Sequence, residues 1–213
     1  MKTKDYILQL IDEGEHEHQD FKYQISDAKK IARSISAFAN NSGGRLLVGV
    51  KDNGHIAGVK SDEEIYMIEQ AATMYCRPEQ QMNFQLFKVE GKSVLLAEVA
   101  EAHVKPVQAP DENGHWKVYY RVADENVLAS GVHVKALKHK NCNEDGALLN
   151  FSEKERELLE YLDLHGGITL SGFSKLAHIS RFAAEDAIVK LLEMNVITLN
   201  YHNGNCLITK SNK

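Results

Sequence analysis

The segment Gly14-Glu15-His16-Glu17-His18-Gln19-Asp20-Phe21-Lys22 gathers the side chains of this 213-residue chain best suited to chemistry. In an extended backbone successive side chains alternate faces, so Asp20 and Lys22 point one way and Phe21 points the other, into a core. A carboxylate and an ammonium placed like this form the acid-x-Lys unit of many metal-dependent nucleases, in which the acid holds the cation and the lysine faces the phosphate. The unit is short and arises by chance in many chains. Glu13, Glu15, Glu17 and Asp20 equally suit a solvated acidic edge, and both readings stay open here. His16 and His18 share a strand face, as metal ligands would, yet among ten histidines such a pair is ordinary on a surface. Further along, Tyr119, Tyr120 and Arg121 can stack on bases and pair with a phosphate backbone, and Lys105 can touch the same groove from a loop. Each of these also fits plain strand or loop structure.

Elements must position these residues. Ser26 and Asp27 can cap a helix running to about Asn40, with Ile31, Ile35 and Phe38 on its buried stripe. Asn41-Ser42-Gly43-Gly44 breaks it. Leu46, Leu47, Val48 and Val50 make a strand, and Asp52-Asn53-Gly54 is a tight turn leading to a second strand over His55–Val59. Ser61 with Glu64 reads as a capping box that opens a helix to about Cys76. Strands follow near 82–90 and 92–99, joined at Glu90-Gly91, and another over Trp116–Val122. This order of strand, helix, hairpin, helix, hairpin and strand is α+β, not a regular βαβ repeat. Gly43-Gly44 lacks the Gly-x4-Gly-Lys-Ser/Thr frame that cradles phosphate, so the sequence does not support ATP binding.

Residues 139–150 are polar and without periodicity, which divides the chain into domains at 1–140 and 150–213. In the second, Ser152 and Glu155 form a capping box before a helix bearing Leu158, Leu159 and Leu162, stopped by Gly166-Gly167. A short helix runs from Thr169 to about Ala177. Ser180 opens a third through about Asn195, and strands over Val196–Leu199 and Cys206–Thr209 flank a turn at 202–205. Three helices and a hairpin in this compass predict a winged helix-turn-helix.

Residues 14 to about 130 resemble the Schlafen-type Alba-like domain, also called the divergent AAA domain. The matching pieces are Gly14-Glu15 with Asp20-Phe21-Lys22, Ala37-Phe38-Ala39-Asn40 with Gly43-Gly44, and Leu47-Val48-Gly49-Val50 with Asp52-Asn53-Gly54 and Gly58-Val59. Lys105-Pro106-Val107 and Tyr120-Arg121-Val122 continue in the same order. Asp20 departs from the family pattern, which carries Glu there, and so reaches one methylene less far. The resemblance implies a split. Animal Schlafen proteins use the domain as an RNA endonuclease, and position by position its acids fall on Glu15, Asp20 and Asp52, with Lys22 nearby. Those three carboxylates would hold Mg or Mn, which activates water and steadies charge developing on phosphate. Bacterial relatives with a winged helix are described as transcriptional regulators. In that reading Lys175, Ser180 and Arg181 meet DNA from the second and third helices of the tail.

Composition bounds these readings. An apolar content of 43% supports an ordinary core, and no run of 18 apolar residues occurs, which predicts a cytoplasmic protein outside the membrane. Cys76, Cys142 and Cys206 lack metal-ligand spacing and read as reduced structural thiols. The net charge of −5, split as −4 over 1–150 and −1 over 151–213, excludes a non-specific coat of nucleic acid but not a local basic patch. The expectation is a nucleic-acid-binding protein, a DNA-binding transcriptional regulator forming a homo-oligomer, with DNA ahead of RNA as partner. The alternatives are a metal-dependent endoribonuclease and a non-catalytic protein-docking module.

Overall fold

The chain divides into two units, Met1–Ala129 and Ser130–Lys213. The computed structural model describes residues 3–140, 151–202 and 205–211.

The first unit opens with helix α1 (Thr3–Glu13) and strand β1 (Gln19–Lys22). Helix α2 (Ala28–Asn40) begins where the Asp27 carboxylate accepts the Lys29 amide at 2.9 Å, the N-cap read from sequence. It stops because the backbone must turn under it. Gly43 has φ +78°, and a Cβ on Gly44 would lie 2.2 Å from the Phe38 ring. Strand β2 (Gly44–Val48) then pairs in parallel with β1, setting Asp20 opposite Leu46 and Lys22 opposite Val48. Beyond the turn at 51–54 only an isolated bridge, Val50 to Ile56, continues the pairing. The strand expected over His55–Val59 does not form. The Gly49 carbonyl accepts the amides of both Ala57 (2.8 Å) and Gly58 (2.9 Å), which curls the segment instead of extending it.

Helix α3 (Glu63–Met74) has Asp62 at its N-cap with no side-chain hydrogen bond, so the expected Ser61–Glu64 capping box is absent. Glu64 is buried instead, and its carboxylate accepts the amides of Ile25 (3.3 Å) and Lys60 (3.1 Å). Strands β3 (Met82–Val89) and β4 (Lys92–Val99) form the expected hairpin and complete a sheet in the order β1-β2-β4-β3. Alternation along β2 sorts the core: Leu46 and Val48 pack with Ile31, Ile35 and Phe38 of α2, while Leu47 packs with Ile7 and Leu10 of α1. A second sheet, β5 (Gln108–Pro110), β6 (Trp116–Val122) and β7 (Glu125–Leu128), also packs on α2. Contact with both sheets explains why α2 is buried along most of its length. Asn40 ties them together: its amide donates to the carbonyls of Val107 and Tyr119, both at 2.8 Å, and accepts the Val107 amide at 2.7 Å.

The second unit contains α4 (Gly131–Lys140), α5 (Glu153–His165), β8 (Gly167–Ile168), α6 (Leu170–Leu176), α7 (Arg181–Glu193), β9 (Ile197–His202) and β10 (Asn205–Lys210). The division of the chain falls ahead of α4, which packs on α7. Most of the polar stretch expected as a linker lies outside the described residues. Ser152 and Glu155 complete a capping box on α5, and Thr169 and Ser180 cap α6 and α7 through their hydroxyls. Helices α6 and α7 are separate, parted by a turn in which His178 has φ +51°. β9 and β10 pair antiparallel, with β8 on the outer side of β10. Leu158, Leu162, Phe173, Ile188, Leu191 and Ile208 form the core beneath them. Asn203 and Gly204 of the expected wing turn lie outside the described residues. Among the described residues, no helix is long and apolar enough to cross a membrane.

Candidate functional site

β1 lies at one edge of its sheet, with Asp20 turned toward Ser34 on α2. Asp20 is 4% exposed. Lys22 Nζ lies 2.7 Å from Asp20 Oδ2, and Arg121 Nη2 lies 3.5 Å from Oδ1. Ser34 Oγ on α2 donates to Asp20 Oδ2 at 3.4 Å. Glu15, in the bend ahead of β1, accepts the Phe21 amide at 2.8 Å and hydrogen-bonds to Asp20. Burial pushes the Glu15 carboxyl up to about 7, and the neighbouring Asp20 carboxylate adds to the rise. For Asp20, burial alone would raise the value, but the Glu15 hydrogen bond, Lys22 and Arg121 together hold it below the ordinary range. Glu15 thus holds its proton to higher pH than an ordinary carboxyl, while Lys22 and Arg121 favour the ionised form of Asp20.

Arg121 is 1% exposed, a place no surface contact could use, and this corrects its expected role in holding nucleic acid. Its guanidinium donates to Asn126 Oδ1 (3.0 Å) and to the Gln19 carbonyl (3.2 Å), while the ring of Phe38 lies 5.0 Å away. Nε has no hydrogen-bond partner among the described residues. Asn41 fixes the backbone there, its amide donating to the Arg121 carbonyl at 2.9 Å and accepting the Arg121 amide at 3.1 Å. Lys105 is buried too. It donates to the Asn41 carbonyl (2.9 Å) and to Glu101 Oε1 (2.6 Å), so it closes the end of α2 instead of reaching into a groove. Tyr120 is half-buried, and that burial raises its phenol above the ordinary range.

Asp52 lies in the exposed turn after β2 and does not join Glu15 and Asp20. Among the described residues no three His, Cys, Asp or Glu side chains group closely enough to hold a metal ion. The donor set does not fit Mg or Mn, which need several oxygens converging on one point. The Lys22 ammonium is paired with Asp20 Oδ2 at 2.7 Å.

In the second unit, Ser180 Oγ accepts the Ala183 amide at 3.2 Å and so starts α7. Arg181 in the first turn is 71% exposed, its Nε donating to Glu185 Oε1 at 3.2 Å. Lys175 is exposed at the end of α6. Among the described residues of this unit, Lys135 pairs with Asp186, Lys154 with Glu157, Lys190 with Glu155 and Lys210 with Asp163.

A family model described as Schlafen, AlbA_2 matches residues 15–130, more than half of the chain. The chain belongs to the Schlafen, AlbA_2 family. The matched span includes Glu15, Asp20, Lys22 and Arg121, the members of the charge cluster. Membership of the Schlafen, AlbA_2 family points to a nucleic-acid-related function. Among solved structures the chain is similar to the DIP2311 protein from Corynebacterium diphtheriae, at 17% identity and a TM-score of 0.45, over 92% of this chain and 40% of that one. It thus spans well under half of that protein's length. It is also similar to the N-terminal domain of a RecG-related protein from Nitrosomonas europaea, at 20% identity and a TM-score of 0.39, over 62% of this chain and 96% of that one. A comparison with curated proteins finds no match.

Sequence reasoning missed Ser34, Asn41 and Asn126. Asn126 links the cluster to α2, its amide donating to Ser34 Oγ at 2.9 Å. Of the three only Asn41 carries a sequence signal, a polar side chain directly after a helix's buried stripe.

Proposed function

We propose that this Schlafen, AlbA_2 chain is a DNA-binding regulator whose second unit is a winged helix that reads duplex DNA. The observation that carries the reading is the exposed start of α7. Arg181 projects there, directly after a short helix and a turn and ahead of the β9–β10 hairpin. Such a helix start is where side chains meet base edges or phosphates in the major groove. Lys175, exposed in the last turn of the preceding helix, adds a second cation. With most lysines of the unit already paired, affinity rests on few phosphate contacts and is lost at moderate salt. A dimer reading two half-sites would supply the affinity that one unit lacks.

Selection of bound sequences from random duplexes, followed by titration at low salt, tests this. Arg181→Ala should weaken the selected duplex, by about 1–3 kcal/mol for a base contact. Binding indifferent to Arg181 would end the reading. A second reading, protein docking through the same unit, is favoured by Phe182, which is 69% exposed beside Arg181 with the Lys135 ammonium 4.2 Å from its ring centre.

A further inference from the structure

Three separate segments converge on Tyr23, a residue with no part in the carboxyl cluster. It follows Lys22 at the end of β1 and is 41% exposed. The Lys51 ammonium lies 5.3 Å from the centre of its ring and the Lys60 ammonium 5.2 Å. Backbone hydrogen bonds explain the convergence. The Gly49 amide donates to the Lys22 carbonyl at 2.8 Å, so the chain leaving β2 runs beside the chain leaving β1 and brings Lys51 to the ring. The buried Glu64 carboxylate grips the amides of Ile25 and Lys60 together, which brings Lys60 to the ring as well. Lys60 Nζ also donates to Gln24 Oε1 at 2.7 Å. Among the described residues neither Lys51 nor Lys60 is in an ion pair with a carboxylate.

An exposed ring with two ammonium groups over it is ready for an exchange. A phosphate carries a full negative charge and attracts an ammonium more strongly than a ring quadrupole does. Once a phosphate draws a lysine aside, the released ring face is a platform for a base, and stacking on it exceeds an exposed cation–π contact. A duplex keeps its base faces stacked on one another, so this platform selects unpaired strands. We propose that Tyr23, Lys51 and Lys60 form a single-stranded nucleic-acid site in the first unit, Tyr23 stacking on a base and the two lysines holding the adjoining phosphates. Asp52, next to Lys51, and Asp62 and Glu63, after Lys60, repel further phosphate and confine the contact to a few nucleotides. The site rests on the reading that the chain binds nucleic acid, and adds a contact of a different strand class.

The test uses the full chain at low salt, with labelled single strands of about 12 nucleotides and the matching duplex, read by fluorescence anisotropy. Tyr23→Ala should weaken single-strand binding about 5- to 100-fold, whereas Tyr23→Phe should leave it within about twofold. The double variant Lys51→Gln with Lys60→Gln should weaken it as well, and lower the salt slope by roughly 0.7 for each phosphate no longer neutralised. An abasic phosphodiester strand should bind wild type and Tyr23→Ala equally. Single-strand binding indifferent to Tyr23→Ala, or equal damage from Tyr23→Phe and Tyr23→Ala, would overturn the site. So would a wild-type chain that binds no single strand. Duplex binding by Arg181→Ala is the separate arm: its outcome decides the second unit's reading and leaves the Tyr23 site to its own result.

Discussion

Two arginine–carboxylate contacts, one in each unit, have nearly the same length and opposite meanings. Arg121 reaches Asp20 at 3.5 Å with side chains 1% and 5% exposed. Arg181 reaches Glu185 at 3.2 Å with side chains 71% and 20% exposed. The first pair stands in a low-dielectric setting, where breaking it strands a buried charge. The second is screened by water and contributes little to folding, so its arginine is free to change partners. Distance alone does not separate them; burial does. The Asp20–Arg121 pair is therefore placed to hold the fold, whereas Arg181 at the start of α7 stands open to solvent.

Removing the buried arginine should break this comparison most visibly if it is wrong. Arg121→Ala is expected to cost about 3–5 kcal/mol in urea unfolding, because Asp20 keeps only Lys22 as a cation. A cost near that of a surface change would show that the cluster is not a strut.

A smaller effect is expected at Glu15. Burial holds its folded value up at about 7 against an ordinary 4.5. The native state therefore keeps a proton that the unfolded chain releases, and stability should fall as pH rises through that window and level off above it. Asp20, held low by Glu15, Lys22 and Arg121, acts in the opposite sense: its contribution is full above its ordinary value and is lost as pH falls below it. Glu15→Gln should flatten the fall, by roughly 1 kcal/mol once solvent screening is allowed for. Melts across that range check it, and an unchanged profile in the variant would show that Glu15 does not retain that proton.

Arg181→Ala sharpens the contrast from the other side. Stability should change by no more than about 0.5 kcal/mol, as at most surface sites, while duplex affinity drops. Equal losses in both would mean that Arg181 supports the fold as Arg121 does. Asp52→Asn is expected to do least, with thermal stability unchanged and no response to Mg or Mn in either form. A melting temperature raised by either ion in wild type and lost in Asp52→Asn would restore the three-carboxylate metal site.

The local signals in the sequence were legible. Asp27, Ser152 with Glu155, Thr169 and Ser180 cap helices as their spacing implied, since a cap is a hydrogen bond within three or four residues. Asn41-Ser42-Gly43-Gly44 ended α2 as expected, with Gly43 against the Val99 backbone and Gly44 against the Phe38 ring. Ser61 and Glu64 show the limit. Their spacing is that of a capping box, but Glu64 is drawn inward by Ile25, 39 residues away. Helix α1 was not foreseen, nor were the short strands β5 and β7, which depend on partners for their pairing.

The same division holds for the candidate sites. The sequence by itself determined that Asp20 and Lys22 would share one strand face and that Ser180 and Arg181 would start a helix, because strand alternation and capping need only neighbours along the chain. Only the tertiary structure decided that Arg121 is buried against Gln19, 102 residues away, that Asp52 stands apart, and that Lys51 and Lys60 flank Tyr23. Whether a charge becomes a strut or a contact depends on how far packing removes it from water, and packing is set by strand pairings distant in sequence.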